Sequence, residues 1–147
     1  MSLGTGQFRY QVVEGWGRLP RWWEWGEVAD VAVNSQGLVY AFTRGAHPVI
    51  ILTREGEFVS SWGEGEFRGP HGIFIAPDDT VYLVDREAQV VLQYTPEGKL
   101  LRSIGPRERP QPTFYGRPFN LPSGVALSPS GHLFVSDGYG NRRVHKF

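Results

Sequence analysis

The chain has no cysteine and a single methionine among its 147 residues. Without cysteine it cannot form disulfides, thiolate metal sites or a cysteine nucleophile, although it can work in any redox compartment. Fifteen Lys and Arg residues balance fifteen Asp and Glu residues, so no excess charge attracts a polyanion over long range. We therefore expect neither a nucleic-acid partner nor a membrane partner.

Long apolar runs are also missing. The sequence has no run of about 18 apolar residues and no basic-then-apolar leader, so it shows neither a transmembrane segment nor a signal peptide. We expect a soluble protein, and its compartment stays open. The opening letters MSLGTGQ lead us to expect a flexible N-terminus over residues 1–9.

Turn residues and short apolar runs are what the chain does contain. Nineteen glycines and eleven prolines separate short runs of Val, Ile, Leu, Tyr and Phe. No apolar stripe with helical spacing occurs. This pattern predicts one all-β domain.

An internal repeat indicates the architecture. Shifted by 42 positions, residues 28–63 align without a gap with residues 70–105, and a third copy covers 122–147. Each unit is predicted to form four short antiparallel strands, although the third lacks its fourth strand. Four strands in about 40 to 45 residues, repeated, are typical of propeller blades. A β-sandwich with chance similarity is the alternative.

The segment YQVVEGWG at residues 10–17 matches EFVSSWG at 57–63, the fourth-strand pattern of the first unit. We interpret residues 10–17 as a closing fourth strand. Because propellers typically have about 4 to 8 blades, three blades predict a six-bladed ring made by a two-fold homodimer. In that dimer each N-terminal strand completes the last blade of its partner. The alternative is a partly open, aggregation-prone fragment.

One end of the predicted blades carries polar loops and the starts of the inner strands. We expect a small molecule or a peptide to bind there, on the channel face, because such sites favour concave, convergent places. The short turns of the opposite end contain nothing that we expect to be reactive. The candidate ligand-binding residues of the loop end are Arg44, Arg86, His47, Tyr115 and Arg117.

The last unit has acid, amide and basic positions before its third strand, followed by further characteristic residues. These residues are Asp137, Asn141, Arg143, Val144 and Phe147. Through them the repeats resemble those of the NHL family. The resemblance implies a propeller of NHL type.

Two further stretches, RGAHP at 44–48 and SDGYGN at 136–141, resemble the first three of six blades of peptidyl-α-hydroxyglycine α-amidating lyases. These zinc-dependent propellers split peptidyl-α-hydroxyglycine into an amide and glyoxylate. The resemblance implies that Arg44 is a catalytic, substrate-binding arginine and Tyr139 the catalytic tyrosine. It implies that His71 is a zinc ligand. The backbone carbonyls of Val31 and Ile73 would lie where the family holds calcium.

The chain departs from that family in its metal ligands. The family holds zinc with three histidines on alternate blades, whereas the positions equivalent to His71 are here Ala29 and Ser123. A symmetric dimer would bring two copies of His71 to opposite sides of the channel, with Asp30 as a weak additional ligand. A catalytic zinc needs three protein ligands. Zinc or calcium is therefore left open as a cofactor.

Each candidate also has a structural interpretation. His71 can bond neighbouring carbonyls, Tyr139 can pack over its loop, and Arg44 can form an ion pair between blades. Asp85 and Asp137 recur at equivalent positions, which favours loop-capping hydrogen bonds over paired acid chemistry. For the tryptophans at positions 22, 23 and 25 we expect packing at the junction between the N-terminal strand and the first blade.

Two functions remain open. The first is a binding or interaction scaffold of half the lyase length without a complete zinc site, which is not an enzyme. The second is a lyase-like metalloenzyme rebuilt by dimerisation, which cleaves a carbon–nitrogen bond and releases glyoxylate. The incomplete set of metal ligands favours the scaffold. A truncated sequence without evolved activity is a third possibility.

Overall fold

The computed structural model describes residues 2–147. Within this range the chain forms thirteen β-strands and no helix, which confirms the all-β class. No helix in the described range is long and apolar enough to cross a membrane.

The first two strands form a hairpin of their own. β1 (Ser2–Thr5) pairs with β2 (Phe8–Gln11) across a two-residue turn in which Gly6 has φ 58°. All eight strand residues are exposed. Residues 2–11 thus form a hairpin, Met1 lies outside the described residues, and the expected flexibility of residues 1–9 stays a prediction. Residues 12–17 form no strand.

Three antiparallel sheets follow along the chain. The first sheet consists of β3 (Val28–Val33), β4 (Val39–Thr43), β5 (Val49–Leu52) and β6 (Phe58–Trp62). The second consists of β7 (Pro70–Ile75), β8 (Val81–Asp85), β9 (Val90–Tyr94) and β10 (Leu100–Ile104). The third consists of β11 (Gly124–Leu127), β12 (Leu133–Asp137) and β13 (Arg143–Lys146). In each sheet, strands that follow one another in the chain are hydrogen-bonded neighbours, as in a propeller blade.

Short turns set the register within each sheet. In the first sheet, the side-chain oxygen of Asn34 accepts hydrogen bonds from the amides of Gln36 and Leu38. Gly37 has φ 79°, a conformation that glycine adopts without steric cost. This turn pairs Val33 with Val39 and so directs Tyr40 and Phe42 toward the second sheet.

The core lies between the sheets, because the second sheet is covered on both faces. Alternate residues of β8 point to opposite sides: Leu83 packs against the first sheet, whereas Tyr82 and Val84 pack toward the third. This arrangement explains why every residue of β8 is buried. Inner strand β7 contacts β3 on one side and β11 on the other.

The long segment between the second and third sheets is fixed at its end. Phe119 is fully buried between these two sheets. The amide of Leu121 donates to the side-chain oxygen of Gln89 at 2.7 Å, and the amide of Glu108 donates to the carbonyl of Ala88. The insertion is therefore tied to the loop that follows β8.

Candidate functional site

Loops that follow the second strand of each sheet share one end of the molecule, and a buried side chain closes each of them. In the second sheet the carboxylate of Asp85 accepts hydrogen bonds from the amides of Arg68, Gly69 and Ala88 at 2.8 to 3.0 Å. In the first sheet the hydroxyl of Thr43 takes this place and accepts from the amide of Gly45. These contacts hold the loops that present the candidate residues.

Asp137 closes the loop of the third sheet. Its fully buried carboxylate accepts hydrogen bonds from the amide of Asn120, the side-chain nitrogen of Asn141 and Nε2 of His145. The loop-capping interpretation of Asp85 and Asp137 is thereby confirmed, since both carboxylates are occupied by neighbouring donors.

His71 lies near the start of inner strand β7, and two neighbours fix its ring. Its Nδ1 is 2.8 Å from the carbonyl oxygen of Ser123. Because a carbonyl oxygen only accepts, Nδ1 carries the proton, and in the neutral ring Nε2 is an acceptor. Nε2 lies 3.3 Å from the hydroxyl oxygen of Tyr139, which can donate to it. The structure therefore brings two predicted site residues into direct contact.

Gly72 allows the inner strands to approach closely enough for this arrangement. A Cβ atom at Gly72 would lie 2.7 Å from the carbonyl oxygen of Ser123 and 3.1 Å from the Cα of Gly124. Only a residue without a side chain fits here. The contribution of Ser123 was missed in the sequence, where it was considered only as a poor metal ligand.

Arg86 adds a positive charge beside Tyr139. Its guanidinium carbon lies 5.7 Å from the centre of the Tyr139 ring, and one terminal nitrogen bonds Glu87 at 3.1 Å. The Nε of Arg86 is buried and has no hydrogen-bond partner within residues 2–147. Tyr139 itself is 60% exposed, so its ring is accessible to a ligand.

Arg44 approaches the same strand from the first sheet. Its Nε donates to the carbonyl of Pro70, which precedes His71, and its Nη1 bonds the carboxylate of Glu27 at 2.8 Å. The Glu27 side chain is largely exposed, so the pair is weak in water. The expected ion pair between blades is not the one observed, because Glu27 and Arg44 adjoin strands of the same sheet; the contact of Arg44 with the second sheet is its hydrogen bond to the Pro70 carbonyl.

The residues predicted for calcium make a different contact. The carboxylate of Asp30 accepts from the amides of Val31 and Ile73, at 2.8 and 3.0 Å. Asp30 therefore links inner strands β3 and β7, and both of its oxygens are occupied by main-chain donors. This link is a structural role for Asp30, and calcium binding by the carbonyls of Val31 and Ile73 stays a prediction.

His47 faces away from this cluster. Its ring stacks on Trp23 with a centroid distance of 3.3 Å, and its Nδ1 donates to Glu64. The hydrogen bond from His47 lowers the pKa of the Glu64 carboxyl. Trp25 lines a groove with Val31, as a packing residue does, but Trp22 is 84% exposed, so the predicted packing role does not extend to it.

Tyr115 and Arg117 lie in the insertion and contact each other. The guanidinium of Arg117 is 5.4 Å from the centre of the Tyr115 ring. Among the described residues, no hydrogen bond or ring contact joins either of them to His71 or Tyr139. Their role in ligand binding therefore stays a prediction.

The side chains of residues 2–147 alone do not fit a zinc site. Catalytic zinc takes three protein ligands and a water. Residues 2–147 contain no cluster of three or more His, Asp or Glu side chains that could hold a metal ion. The polar group that contacts the acceptor nitrogen of His71 is the Tyr139 hydroxyl.

Comparison with known proteins shows what the chain is similar to. The NHL repeat family model matches residues 119–147, which contain the third sheet. Peptidyl-α-hydroxyglycine α-amidating lyase 1 of Drosophila melanogaster is 35% identical over 95 residues, which is 63% of this chain and 17% of that protein. Over these 95 residues the chain is similar to an amidating lyase.

Other relatives extend this similarity over most of the chain. The probable peptidyl-α-hydroxyglycine α-amidating lyase of Caenorhabditis elegans is 28% identical, over 84% of this chain and 42% of that protein. The peptidyl-glycine α-amidating monooxygenase of Mus musculus is 30% identical, over 83% of this chain and 15% of that protein. The chain thus spans between 15% and 42% of the length of these relatives.

Solved structures show the same fold at low sequence identity. Virginiamycin B lyase of Staphylococcus aureus superposes with a TM-score of 0.62 at 14% identity, over 84% of this chain and 42% of that one. A protein of unknown function from Bacteroides thetaiotaomicron gives a TM-score of 0.65 at 17% identity, over 82% of this chain and 33% of that one. At these identities the likeness supports the propeller-like fold alone.

Proposed function

We propose that this protein is a propeller module that binds a small molecule or peptide end carrying a carboxylate, at the face formed by Arg44, His71, Arg86 and Tyr139. The observation that carries the proposal is the hydrogen-bonded pair of His71 and Tyr139 with the Arg86 guanidinium against the tyrosine ring. The pair is fixed before any ligand arrives, because the Ser123 carbonyl holds the imidazole.

Two arginines give this face its preference for an anion. Arg44 and Arg86 are paired with Glu27 and Glu87, whose side chains are 75% and 53% exposed. Exposed ion pairs contribute little, so a ligand carboxylate that bonds a guanidinium in bidentate fashion can displace them. Tyr139 and His71 then supply a hydroxyl and an imidazole to the neighbouring part of the ligand.

The test compares two peptides that differ only in the terminal charge, N-acetyl-Tyr-Gly and N-acetyl-Tyr-Gly-amide, by isothermal titration calorimetry. We expect the acid to bind more tightly, and Arg86→Gln to weaken its binding about tenfold. Arg102→Gln, which changes an exposed arginine on β10, is the matched control and should leave the affinity unchanged. Equal binding of acid and amide would refute the proposal.

A lyase-like enzyme is the second candidate, and the orientation of His71 favours it. Metal-ligating histidines commonly donate their other ring N–H to a carbonyl, as Nδ1 of His71 does to Ser123. In the described part of the chain no further ligands lie beside His71, so this activity requires residues from a second polypeptide. Zinc analysis of the purified protein and of His71→Ala separates the two candidates, followed by an assay of glyoxylate release from a hydroxyglycine peptide. Near-stoichiometric zinc that disappears in His71→Ala supports the enzyme, and its absence in both proteins supports the scaffold.

We further propose that two copies join into one six-bladed ring. Apolar side chains are exposed at both ends of the row of sheets: Val31 and Val33 of the first sheet are 56% and 57% exposed, and Val144 of the third is 69% exposed. Exposed apolar sheet faces and unpaired strand edges favour association. In the proposed ring, residues 10–17 pair with β13 of the second copy, and β2 has one edge unpaired within residues 2–147.

A further inference from the structure

A cleft between the first and second sheets lies on the side of the short turns, opposite to the polar loops. It has a volume of about 450 Å³, which is within the usual range of small-ligand pockets. One wall comes from β4 and β6 of the first sheet and the other from two turns of the second sheet. The residues that matter for its chemistry are Asn34, Tyr40, Trp62, Asp79 and Glu97.

The cleft is built by a contact between turns of neighbouring sheets. Asp79 has φ 64°, and its two carboxylate oxygens accept hydrogen bonds from the amide and the hydroxyl of Ser35, at 2.8 and 2.6 Å. Ser35 precedes Gln36, another lining residue. The turn of the second sheet is thus fixed on the turn of the first, so the mouth of the cleft is set by the fold.

The charge of the cleft is negative. Asp79 and Glu97 line it, and no Lys, Arg or His is among the lining residues. Burial, and then the charges of Asp79 and Glu97, raise the pKa of the Tyr40 hydroxyl, which lies in the same cleft. The negative charge of both carboxylates is therefore felt by a side chain that lines the cleft.

Aromatic rings form the apolar part of the wall. Tyr40 is 2% exposed, and Trp62 packs on Tyr94 with a centroid distance of 4.9 Å. An aromatic ring attracts a cation through its quadrupole, and a carboxylate does so through its charge. A pocket with both groups and no cation of its own is chemically suited to a positively charged organic group.

We propose that this cleft binds a guanidinium or ammonium group on a short alkyl chain, as in an arginine side chain of a peptide or a free alkylguanidine. The charged group lies near Glu97 and Asp79, and the alkyl chain lies against Tyr40 and Trp62. Glu97 is exposed at the mouth, where it can meet an arriving cation. This site is separate from the face of His71 and Tyr139 and selects the opposite charge.

The experiment uses the full chain and three probes in calorimetric titrations: N-acetylarginine amide, n-butylguanidinium and N-acetylcitrulline amide. Citrulline has the shape of arginine without its charge. We expect the two cations to bind and the citrulline compound not to bind, with affinity falling as salt concentration rises. Tighter binding of the arginine compound identifies a peptide side chain as the ligand, and tighter binding of n-butylguanidinium identifies a free cation.

Two variants locate the binding. Glu97→Gln should weaken cation binding by about fivefold or more. Glu55→Gln is the matched control, because Glu55 occupies the same turn position 42 residues earlier and does not line the cleft. Equal effects of the two variants, or equal binding of the arginine and citrulline compounds, would overturn the proposal. Both variants change exposed turn residues, so loss of folding does not confuse the result.

Discussion

The carbonyl oxygen of Ser123, at the entry to the third sheet, accepts a hydrogen bond from Nδ1 of His71 in the second sheet at 2.8 Å. The imidazole belongs to the second sheet and the carbonyl to the third. The orientation of His71 therefore depends on how these two sheets pack against each other. This relationship makes the candidate site sensitive to small changes at the sheet interface, and the first prediction follows from it.

Gly72→Ala should disturb both stability and His71. The added Cβ would lie 2.7 Å from the Ser123 oxygen, so the inner strands must separate. We expect a loss of about 1 to 3 kcal/mol in the free energy of unfolding, measured by urea denaturation. NMR of the His71 ring should show a changed chemical shift. Gly138→Ala is the control, because a Cβ there meets nothing within 4 Å. Equal stability of the two variants would contradict the prediction.

Asn141→Ala should release the insertion between the second and third sheets. The buried Asn141 side chain accepts from the amide of Gly116 at 2.9 Å and donates to the carbonyl of Arg117 at 2.8 Å. Loss of these bonds should cost about 2 kcal/mol or more. Hydrogen exchange should rise in residues 105–121 before it rises elsewhere. Asn34→Ala removes a comparable turn contact in the first sheet and should leave exchange in the insertion unchanged.

Alkaline pH should destabilise the protein through Tyr94. Burial, followed by the hydrogen bond to Glu66, raises the pKa of the Tyr94 hydroxyl well above its usual range. Above about pH 10 the unfolded chain loses this proton while the folded chain keeps it, so stability falls by up to about 1.4 kcal/mol per pH unit. The free energy of unfolding of Tyr94→Phe, measured by denaturation, should decline less steeply between pH 9 and pH 11 than that of the parent protein. Tyr10→Phe, at an exposed position of the hairpin, should follow the parent protein.

Association should depend on the exposed face of the first sheet. We expect the protein to sediment as a dimer at micromolar concentration and Val33→Lys to sediment as a monomer, because a buried unpaired charge opposes the proposed interface. Leu101→Lys changes a residue of similar exposure, 51% against 57%, on the outer strand β10 and should remain dimeric. A parent protein that is monomeric at every concentration would contradict the proposed ring.

Much of the fold could be predicted from the repeat. The 42-residue offset between Tyr40 and Tyr82 reflects equivalent strands, β4 and β8, and the structure shows both within four-stranded sheets. The same reasoning assigned five residues to one face: Arg44, His47, His71, Arg86 and Tyr139. The structure shows His71 and Arg86 against Tyr139, but His47 against Trp23 and Glu64. The contacts among these residues depend on side-chain conformations and on the position of the Ser123 carbonyl. The 42-residue repeat predicts neither of them.

The cleft and the hairpin were not predictable in this way. The turns at Asn34 and Asp79 were judged unreactive when each was considered alone, yet the contact between Ser35 and Asp79 spans 44 residues. The hairpin of residues 2–11 is short and all eight of its strand residues are exposed, so no buried face marked β1 in the sequence, and the strand pattern from Tyr10 onward was assigned to a blade.

Thr43, Asp85 and Asp137 close their loops from inside the protein, each with donors from its own surroundings. The side chains at positions 44, 86 and 139 are not among the donors to these closures, so we expect the closures to persist when those side chains are exchanged. Evolution, or a protein engineer, can therefore change the ligand chemistry of one blade at a time, and related propellers can differ in activity while keeping a common scaffold.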